Sequence, residues 1–189
     1  MDPGFSKVTL DEMASELGMS KKTLYKHFDS KEALLRSCME SRLKNVTIAI
    51  DQIVNSARPF AEKLADLLVV IGRQVSKLNR TAQLDMQKFS PVLWKEIEAF
   101  RREQIYTKIG RMISQAREEH IFRAEVNGQI LLLMFLNCVQ GIVNPEVLSQ
   151  NSFSAEEALR TIFRIIFEGV LTDEARKDFH VFDSPTPTI

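Results

Sequence analysis

Glycine and proline are scarce in this sequence: seven glycines and six prolines occur among 189 residues. A turn-rich β-sheet domain needs more of both, because they supply the backbone angles of tight turns. Hydrophobic residues make up 44% of the chain, which excludes an intrinsically disordered protein. The length allows one or two domains, each with its own core. We therefore expect long helices that pack into globular domains.

Cysteine and histidine are also scarce, and their positions exclude several kinds of site. Cys38 and Cys138 lie far apart, which is not a metal-binding spacing. We interpret both as buried, reduced thiols, and a disulfide is the less favoured alternative. His27, His120 and His180 are scattered, with no nucleophile or carboxylate at a catalytic spacing. We predict no metal, no cofactor and no enzymatic activity.

Long apolar runs and a net charge are absent as well. The longest apolar run, "ILLLMFL" at 130–136, is far shorter than the roughly 18 residues that span a bilayer. Basic and acidic residues balance at 25 each, so any surface for a polyanion must be local. We recognise no secretory signal and expect a soluble, cytoplasmic protein without membrane partners.

Apolar residues recur at three- and four-residue steps along almost the whole chain, which predicts an all-α fold. The longest such pattern runs from 92 to 119, between Pro91 and a polar stretch. Two further helices are predicted at 125–143 and 155–171, and both are rich in apolar residues. No strand alternation is visible in the sequence.

The segment near the N-terminus has the pattern of a helix-turn-helix. Thr9 and Glu12 form a capping box at the start of a short helix, and Gly18 ends that helix. Ser20 caps a second short helix, which is basic: four lysines and one aspartate lie between Ser20 and Lys31. Such a local excess of positive charge in a neutral protein indicates a surface for nucleic acid.

The second helix of this motif enters the major groove of DNA, and its first residues meet base edges. Lysine donates to guanine, and threonine contacts polar edges or the thymine methyl group. The residues predicted to face bases are therefore Lys21, Lys22 and Thr23. Residues further along offer a hydroxyl, an imidazole and an ammonium to phosphate oxygens, namely Tyr25, His27 and Lys31.

Residues 4–35 closely resemble the DNA-binding signature of the TetR family of bacterial transcriptional repressors. The matching landmarks are Gly4-Phe5, Thr9, Met13-Ala14, Gly18, Ser20, Thr23-Leu24-Tyr25, His27-Phe28 and Ser30-Lys31-Glu32. The resemblance implies that Thr9 also contacts phosphate. Leu10 departs from the family, whose members often place a polar, DNA-facing residue there. Only Met1-Asp2-Pro3 precede the Gly-Phe pair, so we expect the family's first helix to be missing or truncated.

The resemblance further implies a homodimer that binds a palindromic, double-stranded DNA operator and is released by a ligand. We assign 1–45 to a three-helix DNA-binding domain, 46–172 to a helical ligand-binding and dimerisation domain, and 173–189 to a loose tail. The alternative is a helical protein-interaction module that does not bind DNA.

The larger domain offers candidates for a ligand pocket and for a dimer interface. Large or soft side chains predict a site for a small apolar or aromatic effector, with plain core packing as the alternative, at Met86, Phe89, Trp94, Phe100, Tyr106, Met112, Met134 and Phe135. The last apolar helix covers more than one stripe, which predicts a partner as well as a core. Its candidate interface residues are Phe163, Ile166, Phe167 and Val170.

Overall fold

A computed structural model describes residues 5–76, 80–177 and 179 of the chain. A short 3-10 turn, Phe5–Lys7, precedes the helices. The α-helices of the described residues are α1 (Leu10–Glu16), α2 (Lys21–His27), α3 (Lys31–Val54), α4 (Phe60–Ser76), α5 (Arg80–Phe89), α6 (Pro91–Glu118), α7 (Gly128–Ile142), α8 (Pro145–Gln150), α9 (Ala155–Phe163) and α10 (Asp173–Lys177). A π-helical turn, Arg164–Glu168, continues α9.

The all-α prediction is confirmed, since no strand occurs within these residues and a single antiparallel bridge joins Phe122 to Leu171. None of the described helices combines the length and apolar content needed to cross a membrane. The helix predicted at 92–119 is α6, and the one predicted at 125–143 is α7.

Hydroxyl groups determine where the first three helices begin. Thr9 accepts a hydrogen bond from the backbone N–H of Glu12 at 3.2 Å, and Ser20 accepts one from Thr23 at 3.0 Å. Ser30 does the same for Ala33 at 3.0 Å, so that it caps α3. These oxygens satisfy N–H groups that have no partner within the helix.

The chain divides into two compact units. The first contains 5–45 together with 80–100, and the second contains 46–76, 101–177 and 179. The structure thus differs from our assignment of the whole of 46–172 to one domain. The segment 80–100 joins the first unit because its side chains bond to the N-terminal part of the chain.

Polar and apolar contacts hold 80–100 in the first unit. The N–H and Oγ of Ser6 both donate to Asp85 Oδ2, at 3.0 and 2.9 Å, and the guanidinium of Arg36 pairs with Glu96. The hydrogen bonds from Ser6 lower the pKa of the Asp85 carboxyl. An apolar cluster joins the same segments, and it consists of Met86, Leu93, Ile97, Leu35, Met39, Leu43 and Trp94.

Five phenylalanines form the centre of the second unit's core. Their ring centroids lie 4.9 to 6.2 Å apart, mostly in edge or tilted arrangements that favour aromatic pairs. The five are Phe60, Phe122, Phe135, Phe163 and Phe167. The aliphatic side chains of α4, α6 and α7 pack around them.

Two expectations about the ends and the cysteines differ from the structure. Thr172 caps α10 by accepting from Ala175 at 3.2 Å, and Phe179 is buried in the second core, so this part of 173–189 is ordered. The rest of the tail, at 178 and 180–189, lies outside the described residues, as does the expectation of a missing first helix.

Cys38 is exposed on α3 rather than buried, and Cys138 is partly buried.

Candidate nucleic-acid interface

The two helices of the helix-turn-helix are held against each other by a small core. Leu10, Ala14 and Leu24 are buried together, and Phe28 packs against them. Gly18 lies between the helices with a φ of +65°, a backbone conformation that few residues other than glycine adopt. Leu10, which departs from the family pattern, is buried, so its side chain belongs to this core. The core leaves the opposite side of α2 in solvent.

Four of the predicted contact residues stand on the exposed side of α2. Lys22, Thr23, Tyr25 and His27 are all exposed, and the Tyr25 side chain is 49% accessible. Lys31 begins α3, where it is partly buried. All five residues belong to the reading head, as we call residues 9–31, and the four on α2 are open to solvent.

Lys21 is already engaged within the chain. Its ammonium pairs with the carboxylate of Asp11 on α1, and the side chains remain 66% and 43% exposed. The hydrogen bond and the negative charge of Asp11 raise the pKa of Lys21. Sequence reasoning missed Asp11, although an acidic residue in the first turn of α1 opposite the start of α2 was a usable signal.

Thr9 is also engaged, since both of its donors go to one carboxylate. The backbone N–H of Thr9 donates to Glu12 Oε2 at 2.7 Å, and its hydroxyl donates to the same oxygen at 2.9 Å. These hydrogen bonds, the backbone one foremost, lower the pKa of Glu12, and the positive charge of Lys31 acts in the same direction. A phosphate contact from Thr9 therefore requires Glu12 to release one of the two donors.

The eight predicted effector residues are divided between the two units. Met86, Phe89, Trp94 and Phe100 belong to the first unit, and the other four belong to the second. Met86, Met112 and Phe135 are buried as core residues, whereas three others are exposed on the surface, namely Phe89, Tyr106 and Met134. The buried residues belong to the core. They were predicted as pocket residues because an apolar sequence pattern does not distinguish a core from a pocket.

The second unit contains an open cleft of about 670 Å³ between α6 and α7. Tyr106 is the member of the predicted set that lines it. Its wall combines the apolar Ile113 and Leu132 with two cations and two carboxylates, namely Arg111, Arg117, Glu103 and Glu118. A second groove, of about 470 Å³, lies among α7, α8 and α9, and aliphatic residues dominate its lining, including Ile142, Val147, Ile162 and Ile165.

The predicted dimer residues lie mainly inside the chain. Phe163, Ile166 and Phe167 are buried in the second core, and Val170 is partly buried against it. The wide apolar stripe is therefore used within the chain. Other aliphatic side chains of α7 and the π-helical turn are exposed instead, with accessible fractions of 41 to 69%: Ile130, Leu133, Met134 and Ile165.

Comparison with known proteins agrees with this geometry. Residues 2–38 match the family described as "Bacterial regulatory proteins, tetR family". The uncharacterized HTH-type transcriptional regulator YvaF of Bacillus subtilis (strain 168) is 24% identical over 172 residues, which cover 90% of this chain and 89% of YvaF.

Two solved structures are similar over most of their length. The fatty acid degradation regulator FadR from Bacillus halodurans has a TM-score of 0.66 and 17% identity, covering 89% of this chain and 88% of that one. The TetR family regulator PfmR from Thermus thermophilus has a TM-score of 0.60 and 22% identity, covering 87% and 90%. At these identities the likeness shows the fold alone.

An all-α chain with a capped helix-turn-helix and a basic, exposed second helix is typical of DNA-binding regulators. The resemblance seen in the sequence is confirmed for the N-terminal part of the chain, where residues 2–38 match the tetR family of bacterial regulatory proteins. The matched family and the relative YvaF are transcriptional regulators and not enzymes.

Proposed function

We propose that the protein is a ligand-released repressor that binds a palindromic operator as a homodimer. The observation that carries this proposal is the exposed basic face of α2, which the core of Leu10, Ala14 and Leu24 holds in place. Lys21, Lys22 and Thr23 would read base edges, whereas Tyr25, His27, Lys31 and Thr9 would bind phosphates. A protein that binds the chromosome of a bacterium acts in the cytoplasm.

The test is selection of binding sites from a random-sequence duplex pool, followed by titration of the selected duplex. Lys22→Gln should lower affinity and relax the preference at a single base position, because a base-reading donor is lost. Lys177→Gln on α10 is the matched control: it removes one exposed cation from outside the reading head and should change neither. If the wild-type protein enriches no sequence, the alternative of a protein-interaction module is favoured.

The homodimer is supported by the exposed aliphatic face of α7. The sequence of α7, GQILLLMFLNCVQGI, contains no charged residue, yet Ile130 and Met134 are more than half exposed. An apolar face of this kind is costly in a monomer and is typical of an interface. Two reading heads related by a two-fold axis would match half-sites about 34–36 Å apart. Light scattering should give about twice the chain mass, and a monomer at micromolar concentration would contradict this.

We further propose that the effector binds the cleft between α6 and α7. Ile113 and Leu132 would contact an apolar body, and Arg111 and Arg117 would contact a polar end. Helices α3 and α6 contribute residues to both units, so a ligand that favours one arrangement of these helices would shift DNA affinity. Coupling of this kind is about 1–3 kcal/mol, which is several-fold to a hundredfold in affinity.

The test is a thermal-shift screen of fatty acids and small aromatic compounds, followed by operator titration with each hit. Ser114→Trp would fill the cleft and should abolish the shift. Ser149→Trp, on the exposed side of α8, is the control and should retain it. A hit that survives Ser114→Trp binds elsewhere, and a hit that leaves operator affinity unchanged contradicts release by ligand.

A further inference from the structure

The reading head is not uniformly basic, because acidic residues begin α1 beside the basic start of α2. Asp11 and Glu12 both lie in the first turn of α1. Glu12 is held by Thr9, whereas Asp11 reaches across the turn to Lys21. Lys22, the next residue, is exposed and has no ion pair within the part of the chain that the structure describes. Of the two adjacent lysines, Lys21 is therefore paired with a carboxylate, whereas Lys22 is open to an anionic partner.

We propose that Asp11 is a specificity-determining residue, which competes with phosphate groups for Lys21 and so weakens binding to unrelated DNA more than binding to the operator. The proposal rests on the proposed reading of DNA by α2. It assigns to Asp11 a positioning role, because the carboxylate acts through the ammonium of Lys21.

The argument follows from the number of donors on an ammonium group. Lysine has three N–H donors, so Lys21 can keep its bond to Asp11 while it donates to an acceptor on a base. Binding to unrelated DNA depends on phosphate neutralisation alone, and each cation that joins it releases counterions. If Lys21 exchanges Asp11 for a phosphate, it leaves an unpaired carboxylate next to a polyanion. The operator can be bound without that exchange, whereas unrelated DNA gains little from Lys21.

The size of the effect follows from the exposure of the pair. Both side chains are partly open to solvent, at 66% and 43%, and such pairs are weak. Removal of Asp11 should therefore change affinities by about two- to fivefold and not by orders of magnitude.

The experiment measures two affinities for each variant over a range of salt concentrations. The probes are a duplex selected from a random pool by the wild-type protein and a mixed-sequence duplex that was not selected. Asp11→Asn should raise affinity for the unselected duplex about fivefold and for the selected duplex less than twofold. The salt slope on the unselected duplex should also steepen by about one unit, because Lys21 becomes available to phosphate.

Glu16→Gln is the matched control, since it removes an exposed carboxylate from the other end of the same helix. It should raise both affinities by the same small factor and leave their ratio unchanged. In a Lys21→Gln background, Asp11→Asn should behave like Glu16→Gln. A general charge effect or a folding defect would not make the selective effect of Asp11→Asn depend on Lys21. Circular dichroism melting of each variant checks that the reading head is intact.

Two results would overturn the proposal and are distinguishable from each other. If Asp11→Asn changes both affinities by the factor seen for Glu16→Gln, Asp11 has no selective role although the reading head still selects DNA. If the wild-type protein enriches no sequence at all, the proposed function fails and the role of Asp11 fails with it.

Discussion

Hydroxyl groups in the reading head cap the ends of helices. A hydroxyl that caps a helix has to leave that hydrogen bond in order to contact DNA. The hydroxyl of Thr9 both accepts from and donates to Glu12, and Ser20 bonds to the backbone of Thr23. The Ser20 and Thr23 hydroxyls lie 2.8 Å apart. A contact from Thr9 or Thr23 to DNA therefore competes with a cap that is worth about 1 kcal/mol. Lys22 makes no ion pair or cap within the described residues. We therefore expect residues of this kind to contribute most to DNA affinity.

The Thr9–Glu12 capping box should be visible in the titration of Glu12. Hydrogen bonds from Thr9 depress the pKa of Glu12 below its ordinary value of 4.5. The stabilisation is thus fully present above pH 4.5 and is lost as the pH falls through the lower, folded pKa. We expect carboxyl-carbon NMR to show Glu12 titrating below 4.5, and Thr9→Val to move the pKa upward because the hydroxyl donor is lost.

An unchanged Glu12 pKa in Thr9→Val would show that the threonine hydroxyl does not stabilise the ionised carboxylate.

Caps and turns were predictable from the sequence because they depend on neighbours within a few positions. The Thr9–Glu12 box, Gly18 and Ser20 were all identified in this way, whereas the pair of Asp11 with Lys21 was missed. The pair joins positions on two different helices, and its formation depends on how α1 crosses α2. The bond between Ser6 and Asp85, far apart in sequence, was likewise invisible to local patterns.

At the scale of helices, buried polar bonds connect elements of the second unit. The ammonium of Lys63 on α4 is buried and donates to the carbonyl of Val54, the last residue of α3, at 3.1 Å. It also donates to Gln115 Oε1 on α6 at 2.8 Å. A cation at the C-terminal end of a helix is favourable, and here it also satisfies a buried carbonyl.

Replacement of Lys63 should be far more costly than replacement of an exposed cation on the same helix. Lys63→Met leaves the Val54 carbonyl and the Gln115 amide oxygen without this donor, which costs about 1–3 kcal/mol. Arg73→Met on α4 is the control, because Arg73 is exposed, and it should change stability by less than about 0.5 kcal/mol. Urea unfolding followed by circular dichroism measures both. Equal midpoints for the two variants would contradict the role of Lys63.

The turn between α1 and α2 provides a second prediction at this scale. Gly18 has a φ of +65° and no neighbouring atom within 4 Å of an added Cβ, so a substitution there is limited by backbone strain alone. Gly18→Ala should destabilise the chain by about 1 kcal/mol, and Gly18→Asn by less, since asparagine tolerates this conformation better. Thermal unfolding should rank the three proteins as wild type, Asn, Ala. A Gly18→Ala protein as stable as wild type would contradict the left-handed turn.

Lengths of helices were easier to predict than the surfaces that they bury. The end of α6 and the course of α7 came close to the predicted ranges because proline and polar residues mark their limits. The stripe of Phe163, Ile166 and Phe167 was assigned to a partner, although all three are buried within the chain. Periodicity identifies an apolar face, but it cannot say whether that face meets the same chain or another copy.

At the scale of the whole molecule, two sets of apolar residues on the last long helices have different roles. Phe163 makes aromatic contacts with Phe135 and Phe167, whose centroids lie 4.9 and 5.5 Å away, so it belongs to the core. Ile165, two positions later, is 69% exposed. The proposed dimer would cover Ile165 together with the aliphatic face of α7, while the phenylalanines stabilise each subunit.

This difference predicts opposite outcomes for the same substitution at neighbouring positions. Ile165→Glu places a charge in the proposed interface, which should convert the dimer to a folded monomer with unchanged helicity, because a charge cannot be buried there without a partner. Phe163→Glu places the charge in the core and should unfold the second unit, at a cost above about 4 kcal/mol. Light scattering and circular dichroism separate the two results.

Thr161→Glu, in the same helix and also exposed, tests how far the interface extends. If Ile165→Glu remains a dimer while Phe163→Glu dissociates without unfolding, the interface uses the phenylalanine face and the assignment made here is wrong.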